Sequence, residues 1–221
     1  MSSNPRIVLL HATPLAMEPI MQAMVKEWPQ ARPMHLLDDS LMVDRAKEGA
    51  DLSNELTQRF LQLGRYSHSV GAAGIIFTCS AFGPAIERVA AELPIPVLKP
   101  NEAMFGEAQR LGRRVALIAT FPPSIPTMKE EFLSLASKNG SAATLDVGIV
   151  PGALDALRRG DADAHNLLIA GAAEKFSGYD AIMLAQFSMA GAAQVAQARV
   201  DVQVLTAPTA AVLRMRQLIE M

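Results

Sequence analysis

The sequence predicts an α/β protein of two tandem halves, each built on a mostly parallel sheet, and three observations predict it. Short, continuous runs of Val, Ile and Leu recur along the chain, bounded by polar or Pro-containing turns, which is how strands buried on both faces of a parallel sheet read. Longer stretches with apolar residues at helical spacing separate them, and alternation of strand and helix implies βαβ units. The chain also echoes itself at an offset of 107 residues: Val8–Thr13 falls on Val115–Thr120, Gly74–Ser80 on Ala181–Phe187, and Ile95–Leu98 on Val202–Leu205. One shift aligning several blocks marks a duplicated unit rather than a chance likeness of strands.

Taken in order, strands are expected at 6–12, 75–79 and 95–98 in the first half and at 114–119, 182–185 and 202–206 in the second, with weaker ones at 33–37 and 144–149. Helices are expected at 15–27, 51–70, 84–92, 101–111, 126–138, 161–177 and 188–198. Ser53 ahead of Glu55-Leu56 marks the start of the second of these as an N-cap. The boundary is expected near Gly112, giving halves of 1–111 and 112–221, with a C-terminal helix over 207–221 packing back on the first half. The repeat implies a pseudo-two-fold relation between the halves and a site at their seam.

Composition narrows the function. Half of the residues are hydrophobic, enough for a sizeable core, and 20 Lys plus Arg against 22 Asp plus Glu leave no basic excess to favour nucleic acid. The partner expected is a small carboxylate or carbonyl-containing substrate, with no nucleic acid and no membrane. The start, MSSNPRIVLL, lacks the pattern of a secretory leader and no run approaches the length of a membrane span, so a cytoplasmic location is expected. A single cysteine excludes an intrachain disulfide and a multi-thiolate zinc site. His35, His68 and His165 are expected at the surface or as caps, without metal-binding pairing. Gly71-Ala72-Ala73-Gly74 precedes a strand, where a nucleotide fingerprint must follow one, so no cofactor is implied. Ala-rich helices on the sheets lead us to expect a homo-oligomer.

In open parallel sheets, ligands bind beyond the carboxyl ends of the strands. Those ends carry His11-Ala12-Thr13, Asp38-Asp39-Ser40, Thr78-Cys79-Ser80 and Lys99-Pro100-Asn101 in the first half. In the second they carry Thr120 with Ser124, Gln186-Phe187-Ser188 and Thr206–Thr209. Cys79 lies between a buried strand and a helix starting near Gly83-Pro84, whose N-terminus should lower the thiol pKa and make it a base or nucleophile. Thr13, Ser80, Thr120, Ser124 and Ser188 supply hydroxyls for a carboxylate or enediolate, flanked by Thr78 and Phe187, and His11 is a candidate second acid/base. Asp38-Asp39-Ser40 reads as an Asx turn, and Lys99 with Glu102 as a solvated helix-start pair.

The run from Gly74 to Ser80, the run from Val115 to Thr120 followed by Ser124, and the tract from Gly160-Asp161 to Ala185 together resemble the aspartate/glutamate/hydantoin racemase superfamily, which includes arylmalonate decarboxylases and maleate isomerases. The resemblance implies a cofactor-independent enzyme in which a cysteine from each half flanks the substrate carbon, with the loop of Thr120 and Ser124 cradling a substrate carboxylate. Gln186 stands where the second cysteine would, and an amide is neither acid nor base near neutral pH. His11-Ala12-Thr13 and Phe187-Ser188 also depart from the glutamate racemase branch. The expectation is an isomerase or decarboxylase acting beside a carboxylate or carbonyl through Cys79 alone, with Gln186 and His11 completing the catalytic set. The alternatives are a catalytically degenerate small-carboxylate binding protein, or a hydrolase pairing Cys79 with His11.

Overall fold

The computed structural model describes residues 4–48 and 52–221. Two compact units divide the chain, one comprising residues up to Pro100 together with Ala211–Met221, the other Asn101–Ala210. Each holds a four-stranded, fully parallel sheet.

In the first unit the strands are β1 (Arg6–His11), β2 (Arg32–Leu37), β3 (Gly74–Phe77) and β4 (Val97–Leu98), in the order β2-β1-β3-β4. Its helices are α1 (Met17–Glu27), α2 (Ser40–Arg45), α3 (Asn54–Ser69) and α4 (Gly83–Glu92). The second unit places α5 (Glu102–Leu111) before β5 (Arg114–Ala119), then α6 (Ile125–Asn139), β6 (Thr144–Ile149), α7 (Ala153–Arg158) and α8 (Ala162–Ala173). It continues through β7 (Ala181–Leu184), α9 (Ala193–Gln197) and β8 (Gln203–Thr206), with sheet order β6-β5-β7-β8, and leads into α10 (Ala207–Glu220).

The helix ends follow the sequence. Ser53 caps α3 by accepting the Leu56 N–H at 3.1 Å, Asp161 caps α8 by accepting that of Ala164 at 3.0 Å, and Gly140 ends α6 at φ 63°, where a Cβ is disfavoured. The expected start of the second helix at residue 51 lies outside the described residues. The short helices α2 and α7 were not expected, and the stretch 188–198 opens as a 3-10 turn, Phe187–Ala192, before α9.

Two expectations need correction. The helix 101–111 belongs to the second unit rather than the first, because α5 packs on α6, β7 and β8; the division falls at Pro100, not near Gly112. The echo also slips by one residue in the first strand. Ile75 corresponds to Ile182, a shift of 107, but its sheet neighbour Val8 corresponds to Ala116, a shift of 108. The slip is invisible in sequence because β1 and β5 bury both faces, so no period-two alternation fixes their phase.

All four residues of β3 and of β7 are buried. In the first unit Phe60, Phe77 and Phe82 stack with ring centroids 5.5 and 4.7 Å apart, joining α3 and the segment before α4 to the sheet. Met215, on the part of α10 that belongs to this unit, lies over Gly74 at the start of β3, where a Cβ would collide with its sulfur. Gly74→Ala is therefore expected to cost about 1–3 kcal/mol through overpacking. Combining it with Met215→Ala should cost less than the sum of the two single changes in denaturant melts; strict additivity would mean that α10 does not dock there.

Candidate functional site

In the first unit β3 ends at Phe77 and the chain passes through Thr78 and Cys79 into a one-turn 3-10 segment, Ser80–Phe82, before α4 begins with Pro84 in its first turn. Cys79 is half-buried. Its Sγ lies 3.6 Å from Sδ of Met42 on α2. Arg45 of α2 donates to the Ala81 carbonyl at 3.3 Å, tying that helix to the cysteine loop. Arg59 of α3 fastens α2 at its base: its guanidinium donates to Asp38 at 2.6 Å, to Asp44 at 2.6 Å and to Ser40 at 2.7 Å. Asp38 also accepts from the Ser40 N–H and hydroxyl, an Asx turn. Partial burial opposes its ionisation, but Ser40 and Arg59 outweigh that and hold its carboxyl below the ordinary range.

Burial pushes the Cys79 thiol up, and the Ala81 N–H bonded to the sulfur offsets only part of this. The sequence led us to expect the opposite. A helix N-terminus stabilises a thiolate only where the sulfur keeps its solvation, and Met42 supplies none. At neutral pH the group is a protonated thiol.

His11 lies at the carboxyl end of β1, but its ring points into the unit and is fully buried. Nδ1 is 2.8 Å from the Thr78 hydroxyl and Nε2 is 2.9 Å from Nδ1 of His35. One direction of donation satisfies the whole chain: His35 N–H to His11, His11 Nδ1–H to Thr78, and Thr78 O–H to the Leu10 carbonyl at 3.3 Å. Burial, helped by His35, lowers the His11 pKa to about 4. The ring is therefore neutral at pH 7, and its two nitrogens face Thr78 and His35 rather than Cys79. Thr78, buried and bonded to His11, acts as a support for the strand end.

The second unit repeats the strand-end plan with different chemistry. Beyond β7 the chain passes through Ala185 to Gln186, the equivalent of Cys79 in the sheet register. Gln186 Oε1 accepts from the Thr120 N–H at 3.0 Å and from the Thr120 hydroxyl at 3.3 Å, and its Nε2 donates to Ser124 Oγ at 3.1 Å. Ser124 in turn donates to the Phe121 carbonyl at 2.8 Å. The Thr120 and Ser124 hydroxyls expected to meet a substrate carboxylate are thus turned towards Gln186. Phe187 is buried, while Ser188, like Ser80 in the first unit, is half-buried at the start of a 3-10 turn. Thr13 accepts the Leu15 N–H at 3.4 Å and caps the turn after β1.

Three smaller readings change. Lys99 pairs with Glu87 at 2.6 Å rather than with Glu102. His165 is buried, not superficial, and its Nδ1 donates to the Ala153 carbonyl at 2.8 Å, joining α8 to α7. His35 is exposed, but through His11 it belongs to the strand-end network. Sequence reasoning missed Met42, Asp44 and Arg59 as neighbours of the cysteine loop, since α2 is too short to display a period. No cluster of His, Cys, Asp or Glu suited to a metal ion occurs among the described residues, and no described helix is long and apolar enough to cross a membrane.

A parallel α/β unit occurs twice, with a thiol just past the third strand of one copy and an amide at the same place in the other, which defines the class as two-unit α/β proteins. The chain belongs to the Asp/Glu/hydantoin racemase family, whose model matches residues 10–215. Its fold is similar to that of an aspartate racemase homologue from Pyrococcus horikoshii OT3, with a TM-score of 0.74 at 16% identity over 98% of this chain and 99% of the other. Allantoin racemase from Klebsiella pneumoniae gives 0.73 at 16% identity over 98% and 88%. Glutamate racemase from Bacillus anthracis gives 0.72 at 11% identity over 99% and 82%. No curated protein sequence matches.

Two measurements check this site. The pH profile of Cys79 alkylation should have its midpoint above that of an unhindered thiol, and Met42→Ala should speed alkylation several-fold at neutral pH; an acid-shifted profile in the unaltered protein would contradict the burial argument. For His11, whose folded pKa of about 4 lies below the ordinary 6.5, the stability due to its neutral burial is complete above pH 6.5 and is lost as pH falls towards 4. That loss amounts to about 3 kcal/mol. Ring resonances titrating near the ordinary value would disprove it.

Proposed function

We propose that this protein is a cofactor-independent enzyme of isomerase or decarboxylase type that moves one proton on one face of a carbon next to a carboxylate or carbonyl, with Cys79 as the proton donor. The single observation that carries the reading is the placement of Cys79 and Gln186 at equivalent strand ends, a thiol in one unit and an amide in the other. A symmetric two-base racemisation needs a proton-exchanging group at both places, and Gln186 exchanges none near neutral pH.

The raised Cys79 pKa supports its role as an acid. When the bond from the substrate carbon to a carboxylate breaks, carbon dioxide leaves and the bond's electron pair passes into an enolate; when a carbon–hydrogen bond breaks instead, water takes the proton and the same enolate forms. The Cys79 S–H then gives its proton to that carbon, and solvent reprotonates the thiolate. Gln186 stabilises the enolate or carboxylate oxygen by hydrogen bonding, and Thr120 and Ser124 act through Gln186 by fixing it. Thr13 and Ser80 at the strand ends of the first unit, and Phe187 and Ser188 at that of the second, are proposed as further substrate-binding residues. The neighbouring structures suggest glutamate, aspartate and allantoin as the substrates to try first, and the family adds hydantoins; malonates and maleate complete the panel.

A second reading, a protein that binds a small carboxylate without turning it over, is favoured by Met42 lying against the thiol. The panel incubated in D2O and followed by proton NMR separates the two. Turnover with deuterium placed at one face, lost in Cys79→Ala, supports the enzyme. Turnover unchanged in Cys79→Ala would remove the thiol from the mechanism. Ligand protection of Cys79 from alkylation without turnover would favour the binding protein.

A further inference from the structure

The Gln186 carboxamide is held in one orientation by donors that leave it no choice. The Thr120 backbone N–H can only donate, so the group 3.0 Å from it must be the amide oxygen, and the Thr120 hydroxyl at 3.3 Å adds a second donor to the same atom. Both lone pairs of Oε1 are then used. Nε2 spends one N–H on Ser124 at 3.1 Å, whose own hydrogen goes to the Phe121 carbonyl, so Ser124 has to accept. One Nε2 N–H remains, on a side chain that is only half-buried.

A backbone N–H and a hydroxyl converging on one oxygen at a strand end make a site for a carboxylate oxygen, and here the protein supplies that oxygen itself. We propose that Gln186 is an internal ligand filling a small-carboxylate site at Thr120, and that this makes it the specificity-determining residue of the second unit. The filled site admits no carboxylate oxygen at the Thr120 donors. It offers instead a single fixed N–H, which suits one carbonyl or carboxylate oxygen bound from outside. The proposal concerns occupancy of the Thr120 donors and holds whether or not Cys79 is catalytic.

The test reads the Thr120 amide resonance during acetate titration of the full-length protein. In the unaltered protein it should not move, because its acceptor is already present. In Gln186→Ala the donors are released, and acetate should shift the resonance saturably and bind at least about tenfold more tightly, the worth of one charge-assisted hydrogen bond. Gln186→Glu keeps an acceptor oxygen in place and should remain unresponsive, which separates an opened site from a general loosening of the loop. Saturable acetate binding at Thr120 in the unaltered protein, or a folded Gln186→Ala whose Thr120 amide ignores acetate, would overturn the proposal. If Gln186→Ala fails to fold, Gln186→Ser, too short to reach the donors, takes its place with the same two readings.

Discussion

The strands β3 and β7 expose no residue along their length, and this burial governs where polar chemistry can stand. A polar side chain on either face would have to find all its partners inside an apolar layer, so each sheet carries its functional groups just past the last strand residue. There the backbone leaves the ladder with unspent N–H and C=O groups, and the nearest side chains take them up. The Thr78 hydroxyl does so in the first unit by donating to the Leu10 carbonyl, and Gln186 does so in the second by accepting the Thr120 N–H. The same need is met by a hydroxyl in one copy and by an amide in the other.

The two copies have diverged in what they do with this position. In the first, the residue after Thr78 is a small, polarisable thiol with an apolar neighbour in Met42, and its environment favours the uncharged form. In the second, the residue after Ala185 is long enough to fold back on the preceding loop and satisfy three hydrogen bonds there. A thiol in that place could not bridge to Thr120 and Ser124 together. Replacing it with an amide exchanges a group able to accept and return protons for one that fixes geometry and donates.

Most of the sheet architecture was legible because buried parallel strands are the least ambiguous apolar runs a sequence contains. Arg114–Ala119 and Thr144–Ile149 stand where the sequence places them, and the main helices begin within a few residues of their capping signals. What escaped did so for physical reasons. The helices α2 and α7 have six residues each, under two turns, too few for a hydrophobic period to declare itself. The slip between β1 and β5 left no trace because strands apolar on both faces carry no phase. Of the polar residues, sequence identified Cys79, Gln186, Thr120 and Ser124 as strand-end groups but not that the last two turn towards Gln186. The raised pKa of Cys79 and the lowered one of His11 follow from burial, to which His35 adds at His11, and spacing along the chain does not reveal which groups are buried.

The exchange of helices between the units has a bearing on how the protein is made. The first unit owns Ala211–Met221, which follow every residue of the second. During synthesis, β1 to β4 leave the ribosome first yet wait for the last turns of α10, including the Met215 that lies over Gly74. The second unit, closed by Ala210, has its full set of residues earlier. The nascent chain therefore completes its halves in the reverse of the order in which it begins them, and Gly74 of the earlier half goes without Met215 until the last turns of α10 have emerged.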